Sequence, residues 1–178
     1  MVEGTGLVTE AARAGWTVHS QFFGAGAEPV PGLDAPAYEL GRGVLERVAT
    51  TATPQPHLAV VAMPDPDVSV LERASFVVVA DRLADPGNAG TILRSAEAAG
   101  ADAVVLTAGS VDPFNPKVVR ASAGALFHVP VVQVGDLAPR RRWTRHPPER
   151  HRTKDSRSPP ATSHVAALVL GNEGPRAA

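Results

Sequence analysis

Apolar positions along the chain fall into short bursts separated by Gly, Pro and Asx residues, and the spacing inside each burst predicts its element. Thr5 to Ala14 puts Leu7, Val8, Ala11 and Ala12 on one side of a short helix, which Gly15 stops. Trp16 to Phe23 alternates as a strand, and Gly24 to Pro36 is a Gly/Pro-rich loop. Val44 to Ala49 predicts a second short helix, and Leu58 to Met63 (LAVVAM) a buried strand. Pro64-Asp65-Pro66-Asp67 then reads as a linker.

Beyond the linker the bursts become more apolar. Phe76-Val77-Val78-Val79-Ala80 suits a strand covered on both faces. Asp85-Pro86-Gly87-Asn88 predicts a type II turn, with Pro second and Gly third. Asn88 then caps a helix from about Ala89 to Ala99, with Ile92, Leu93 and Ala96 as its apolar face and Gly100 as its close. Ala103 to Leu106 is the next buried strand. Asn115-Pro116 signals a cap and first helical residue for a helix from Pro116 to Ala123, ending near Gly124. Val129 to Val134 and Val165 to Leu170 complete the strands. Alternating strands and helices imply an α/β fold with a largely parallel sheet. Two domains are expected, at residues 1–66 and 74–178.

Composition narrows the class. Of 178 residues 44% are hydrophobic and 20% charged, with a formal net charge of -1, which excludes a wholly disordered chain. No apolar run reaches the ~20 residues of a membrane helix. Met1-Val2-Glu3-Gly4 has no basic or apolar signal region, so a cytoplasmic protein with no membrane partner is expected. The absence of cysteine excludes disulfides and thiolate chemistry. The charge is unevenly spread. Pro139 to His164 holds seven Arg, one Lys, three His and five Pro against one Glu and one Asp, and no Val, Ile, Leu, Met or Phe. That segment supplies no core strand and is expected to be disordered.

Candidate chemistry concentrates in Asp85–Arg94. Its residues support first a plain turn and helix start, and second a phosphate site made of a helix N-terminus and the Arg94 guanidinium. No G-x-G-x-x-G fingerprint supports a dinucleotide fold. His19, His57 and His128 sit near apolar strands and read as structural, and no metal-ligand cluster stands out.

DPGNAGTILRSAEAAGA, then DPFNPKVVRASAGALFHVPV, then LVLGNEG, in that order, resemble the SpoU (TrmH-like) RNA ribose 2′-O-methyltransferases of the knotted SPOUT superfamily. Residues 1–63 are similar, less closely, to the ribosomal-protein-like RNA substrate-binding domain that often precedes this catalytic domain. The resemblance implies S-adenosylmethionine as cofactor, rRNA or tRNA as partner, a homodimer and no metal. It implies that Arg94 acts at the reacting ribose, with Asn88, Lys117 and Ser122 on the substrate side. Gly171, Asn172 and Glu173 match the loop that approaches the cofactor. A guanidinium stays protonated, so Arg94 suits phosphate gripping and alkoxide stabilisation better than general-base work.

The family pattern also contains a third motif, a further strand and a terminal helix that close the knot, and nothing here matches them. The catalytic domain is therefore expected to be incomplete. Two readings account for Pro139 to His164: a basic RNA-binding insertion, or out-of-frame translation of a high-GC gene with its frame restored near Val165. On either reading this chain is expected to transfer no methyl group, with Val77, Val79, Val104 and Leu168 left partly uncovered. The alternative function is a non-catalytic RNA-binding protein or fragment.

Overall fold

The computed structural model describes residues 1–65, 67–135 and 166–171. The expectations for residues 139–164, and for Asn172 and Glu173, lie outside them.

Strand β1 (Val2–Glu3) leads into helix α1 (Thr5–Arg13), which buries Val8 and Ala11. Gly15 adopts φ 81° just past the helix, where a left-handed residue stops it. β2 (Val18–Gly24), β3 (Ala37–Leu40), the single turn α2 (Leu45–Val48) and β4 (His57–Val61) follow. The sheet order is β1-β4-β2-β3, with β4 antiparallel to both neighbours and β3 parallel to β2. Two strands lay outside the sequence expectation, β1 and β3. β1 has two residues, and β3 buries none of its four side chains, so neither shows a readable alternation.

A one-turn helix α3 (Val70–Arg73) precedes the second sheet. Its strands are β5 (Phe76–Asp81), β6 (Ala103–Leu106), β7 (Val131–Gln133) and β8 (Ala166–Gly171), ordered β7-β6-β5-β8 and all parallel. Helices α4 (Pro86–Ala98) and α5 (Pro116–Ala121) complete the alternation, with a 3-10 turn at Ala125–Phe127. At the start of β5, Asp102 accepts hydrogen bonds from the Phe76 and Ser75 amides (2.9 and 2.7 Å) and from the Ser75 hydroxyl (2.9 Å). These bonds, led by the one from Phe76, hold the Asp102 carboxyl below its usual value.

The continuous apolar strands are covered on both faces, as such runs require. Val78, Ala80, Val104 and Leu106 pack with Ala89, Leu93 and Ala96 of α4 and with Val118 and Val119 of α5. Val77, Val79, Val105 and Val132 form the opposite face, with Ala74, Val70 and Leu71 against them. The first core also takes in Val2, Val8, Ala11, Val30 and Ala59, so packing continues across the linker.

Two sequence expectations are corrected here. Val77, Val79 and Val104 are 1%, 1% and 0% exposed, because the central strands have neighbours on every side; the exposure falls on the edge strand, where Leu168 is 51% exposed. The start of α4 also differs. There is no separate turn before it: Pro86 is the first helical residue and Asp85 is the cap, its Oδ1 accepting from the Asn88 amide at 2.7 Å. The fixed φ of proline suits a first helical position, and a carboxylate there satisfies a free amide, together contributing about 1 kcal/mol. Asn88 is therefore inside the first turn. The pattern repeats at α5, where Asn115 Oδ1 accepts from the Lys117 amide at 2.9 Å, as expected.

Candidate active site

In the second sheet the chain steps from β5 to β6 to β7, then returns to place β8 on the other side of β5. Ligands of open parallel sheets bind outside the carboxyl ends of the strands where the order reverses. Here that point lies between β5 and β8, where Asp81 pairs with Gly171.

The carboxyl ends are stiff. Thr107, buried at the end of β6, donates its hydroxyl to Asp81 Oδ1 (2.7 Å) and accepts the Arg82 amide (2.9 Å). Arg82 takes φ 51°, an uncommon conformation for a side chain of that size, and the threonine bond holds it there. The Leu83 amide donates to Ser110 Oγ (3.1 Å), and the Val111 amide to the Leu83 carbonyl (2.7 Å). The loop feeding α4 is thus fastened to the loop after β6.

Asn88 and Arg94 are both exposed on α4. Thr91 stands between them: its hydroxyl donates to the Gly87 carbonyl (3.0 Å) and accepts from Arg94 Nη2 (3.4 Å). Among the described residues Arg94 has no carboxylate partner. Lys117 is exposed at the start of α5. The two helices touch at Gly90, where an added Cβ would lie 2.3 Å from Ala121 Cβ and 2.4 Å from its carbonyl carbon. α4 therefore brings the first motif against the second.

Ser122 differs from its expected role. It is fully buried, and its hydroxyl donates to the Val119 carbonyl at 2.8 Å, which commits it to its own helix end. Ala123 and Gly124 then turn the chain sharply, at φ 50° and 103°. Gly171 is exposed at the end of β8, and a Cβ added there would meet no described residue within 4 Å. A cleft of about 250 Å³ is lined by Trp16, Phe114, Phe127 and His128 among others, and by none of the five described site candidates, Asn88, Arg94, Lys117, Ser122 and Gly171. His57 bridges Thr5 and the Glu28 carbonyl, and His128 meets Glu10, as structural histidines do, while His19 is exposed.

Sequence reasoning missed Asp81, Arg82, Thr107 and Gly90. A usable signal existed for two of them. Asp81 and Thr107 are the first polar residues after the apolar runs of adjacent parallel strands, where a ligand crevice is expected.

The chain is similar to known proteins over this same region. A sequence model of the SpoU rRNA Methylase family matches residues 75–175. The chain is 45% identical over 96 residues to the 23S rRNA (guanosine(2553)-2'-O)-methyltransferase RlmP of Bacillus subtilis, covering 54% of this chain and 38% of that protein. It is 37% identical over 144 residues to the mitochondrial rRNA methyltransferase 3 of Mus musculus, covering 74% of this chain and 34% of that protein. The chain thus spans little more than a third of these two relatives. In structure it is similar to the SpoU methyltransferase AviRb of Streptomyces viridochromogenes, solved in complex with the cofactor AdoMet: TM-score 0.68, 30% identity, 76% of this chain and 55% of that one.

Proposed function

Because the chain belongs to the SpoU rRNA methylase family, we propose that the protein, with its SpoU domain complete, transfers a methyl group from S-adenosylmethionine to a ribose 2′-hydroxyl of ribosomal RNA. One observation carries this reading. Arg94 projects from the first-motif helix, inside the matched region, with no carboxylate partner among the described residues. An exposed guanidinium with no described carboxylate partner is suited to a phosphodiester.

When bound, S-adenosylmethionine supplies an electrophilic methyl group on a sulfonium. Gly171, at the carboxyl end of β8, and the Asn172 and Glu173 that follow it in sequence are the residues we assign to hold it. In-line displacement depends chiefly on positioning. Arg94 grips the phosphate next to the target ribose and stabilises the negative charge that grows on the 2′-oxygen. Its guanidinium stays protonated, so the 2′-hydroxyl proton would pass to solvent water while the new O–C bond replaces the C–S bond and the thioether leaves. Asn88 and Lys117 contact RNA on the same side. Ser122 would reach substrate only by giving up its bond to Val119, so its first role is to hold the end of α5.

We assign residues 1–66 to RNA binding and 74–178 to the methyltransferase domain. We further infer a cytoplasmic homodimer; the exposed Leu168, Val169 and Leu170 on β8 support a covered edge. The experiment is a map of 2′-O-methylated ribose in the ribosomal and transfer RNA of cells with and without the gene. Disruption is expected to remove methylation at a ribosomal RNA position, and an intact gene in trans to restore it. An unchanged map contradicts the proposal.

A further inference from the structure

Among the described residues, the side-chain hydrogen bonds and ring contacts between the part holding the first sheet and the part holding the second all end on residues 114–128. The Trp16 indole donates to the Phe127 carbonyl (3.0 Å) and packs edge-on against the Phe127 ring (5.1 Å between centroids). Glu10 meets His128 at 3.0 Å. Arg120 Nη1 donates to Thr50 Oγ1 at 2.7 Å. The first part therefore grips the second motif, not the linker.

The Arg120 contact leads through Thr50 to a buried carboxylate. Glu3, 6% exposed on β1, accepts from the Thr50 hydroxyl (3.0 Å), the Thr50 amide (3.2 Å), the Gln55 amide (3.3 Å) and the Thr51 hydroxyl. Burial would raise its pKa, but the bonds from Thr51, Gln55 and Thr50 hold it below the usual carboxylate value. All of these donors are neutral. The nearest cation in the chain of bonds is Arg120, one hydroxyl away, and a hydroxyl that donates to a carboxylate is a stronger acceptor for a guanidinium.

α5 needs such an anchor. It has six residues, too few to fix its own direction. Gly90 sets how closely it approaches α4, and Arg120 ties its last turn to the first part. Lys117 rides on the same helix. We propose that Arg120 is a positioning residue which, through Thr50 and Glu3, locks the second-motif helix to the RNA-binding part, so that RNA held by one meets Lys117 of the other in fixed geometry. The RNA side of this rests on the function proposed above.

The test uses the full chain and four variants: Arg120→Met, Thr50→Val, the double variant, and Arg120→Lys. Affinity for a ribosomal RNA fragment is measured by fluorescence anisotropy, and amide exchange at Thr50 and Gln55 by NMR. Loss of one charge-assisted bond is expected to weaken RNA binding about tenfold in each single variant. The double variant should be no weaker than either, since both break the same connection. Arg120→Lys keeps a cationic donor and should stay within about threefold of the parent. Exchange at both amides should rise about tenfold in Arg120→Met. If Arg120→Met weakens RNA binding and Thr50→Val does not, Arg120 touches RNA directly and the positioning role is overturned. Faster exchange with unchanged RNA affinity reduces the contact to structure alone and also overturns it. If the parent protein binds no RNA, the RNA-binding reading fails by itself. The tie is then judged by exchange: faster exchange supports it, and unchanged exchange overturns it.

Discussion

Replacing Gly90 by alanine is expected to lower stability by about 3 kcal/mol, the upper end of the usual cost of overpacking. In a chain of this size that lowers the melting temperature by roughly 6–12 °C. Glycine inside an exposed helix normally favours replacement by alanine, by about 1 kcal/mol. Here the sign reverses because of what the new methyl meets. It would lie 2.3 Å from Ala121 Cβ, 2.4 Å from the Ala121 carbonyl carbon and 2.7 Å from the Ser122 nitrogen. None of these is the end of a flexible side chain. α4 and α5 must separate, which opens the contacts of Ala89 and Leu93 with Val118 and Val119. Gly6 is the control: in α1 an added Cβ meets nothing within 4 Å, so Gly6→Ala should cost nothing. Denaturant midpoints measure both, and equal midpoints for the two variants would mean that the helices do not touch at Gly90.

Arg94→Ala is expected to cut methyl transfer at least about 100-fold, the usual effect of removing one charge-stabilising donor from an active site. Cofactor affinity should be unchanged, because Arg94 is placed on the substrate side. Arg94→Lys should recover only part of the loss, since an ammonium cannot make the paired bonds a guanidinium makes to phosphate. Complementing the disrupted gene with each allele and repeating the ribose map gives the comparison. Full restoration by the alanine allele removes Arg94 from the mechanism.

The buried parts of the fold were legible because their signals are local. Phe76–Ala80 and Ala103–Leu106 could only be strands covered on both sides, and they are. β3 was not legible, since a four-residue exposed edge strand exists only because β2 offers it a partner. The start of α4 was misplaced although its signal was present. Asp-Pro there and Asn-Pro at α5 act alike, but Gly87 invited a turn. The site divides in the same way. Arg94 and Asn88 were singled out by resemblance, and they stand exposed on one helix. The left-handed Arg82 held by Thr107 and the Arg120–Thr50–Glu3 chain both join residues far apart in sequence. No local pattern carries such contacts.

The most direct measurement is methyl transfer itself, using the protein purified from its own cells, tritiated S-adenosylmethionine and ribosomal RNA lacking the modification. Digestion of the product with alkali distinguishes the acceptor, because a 2′-O-methyl group blocks cleavage at its own linkage. The account predicts tritium in an alkali-resistant dinucleotide. Tritium recovered in mononucleotides would place the methyl group on a base, and that result, or no tritium in RNA at all, would contradict it.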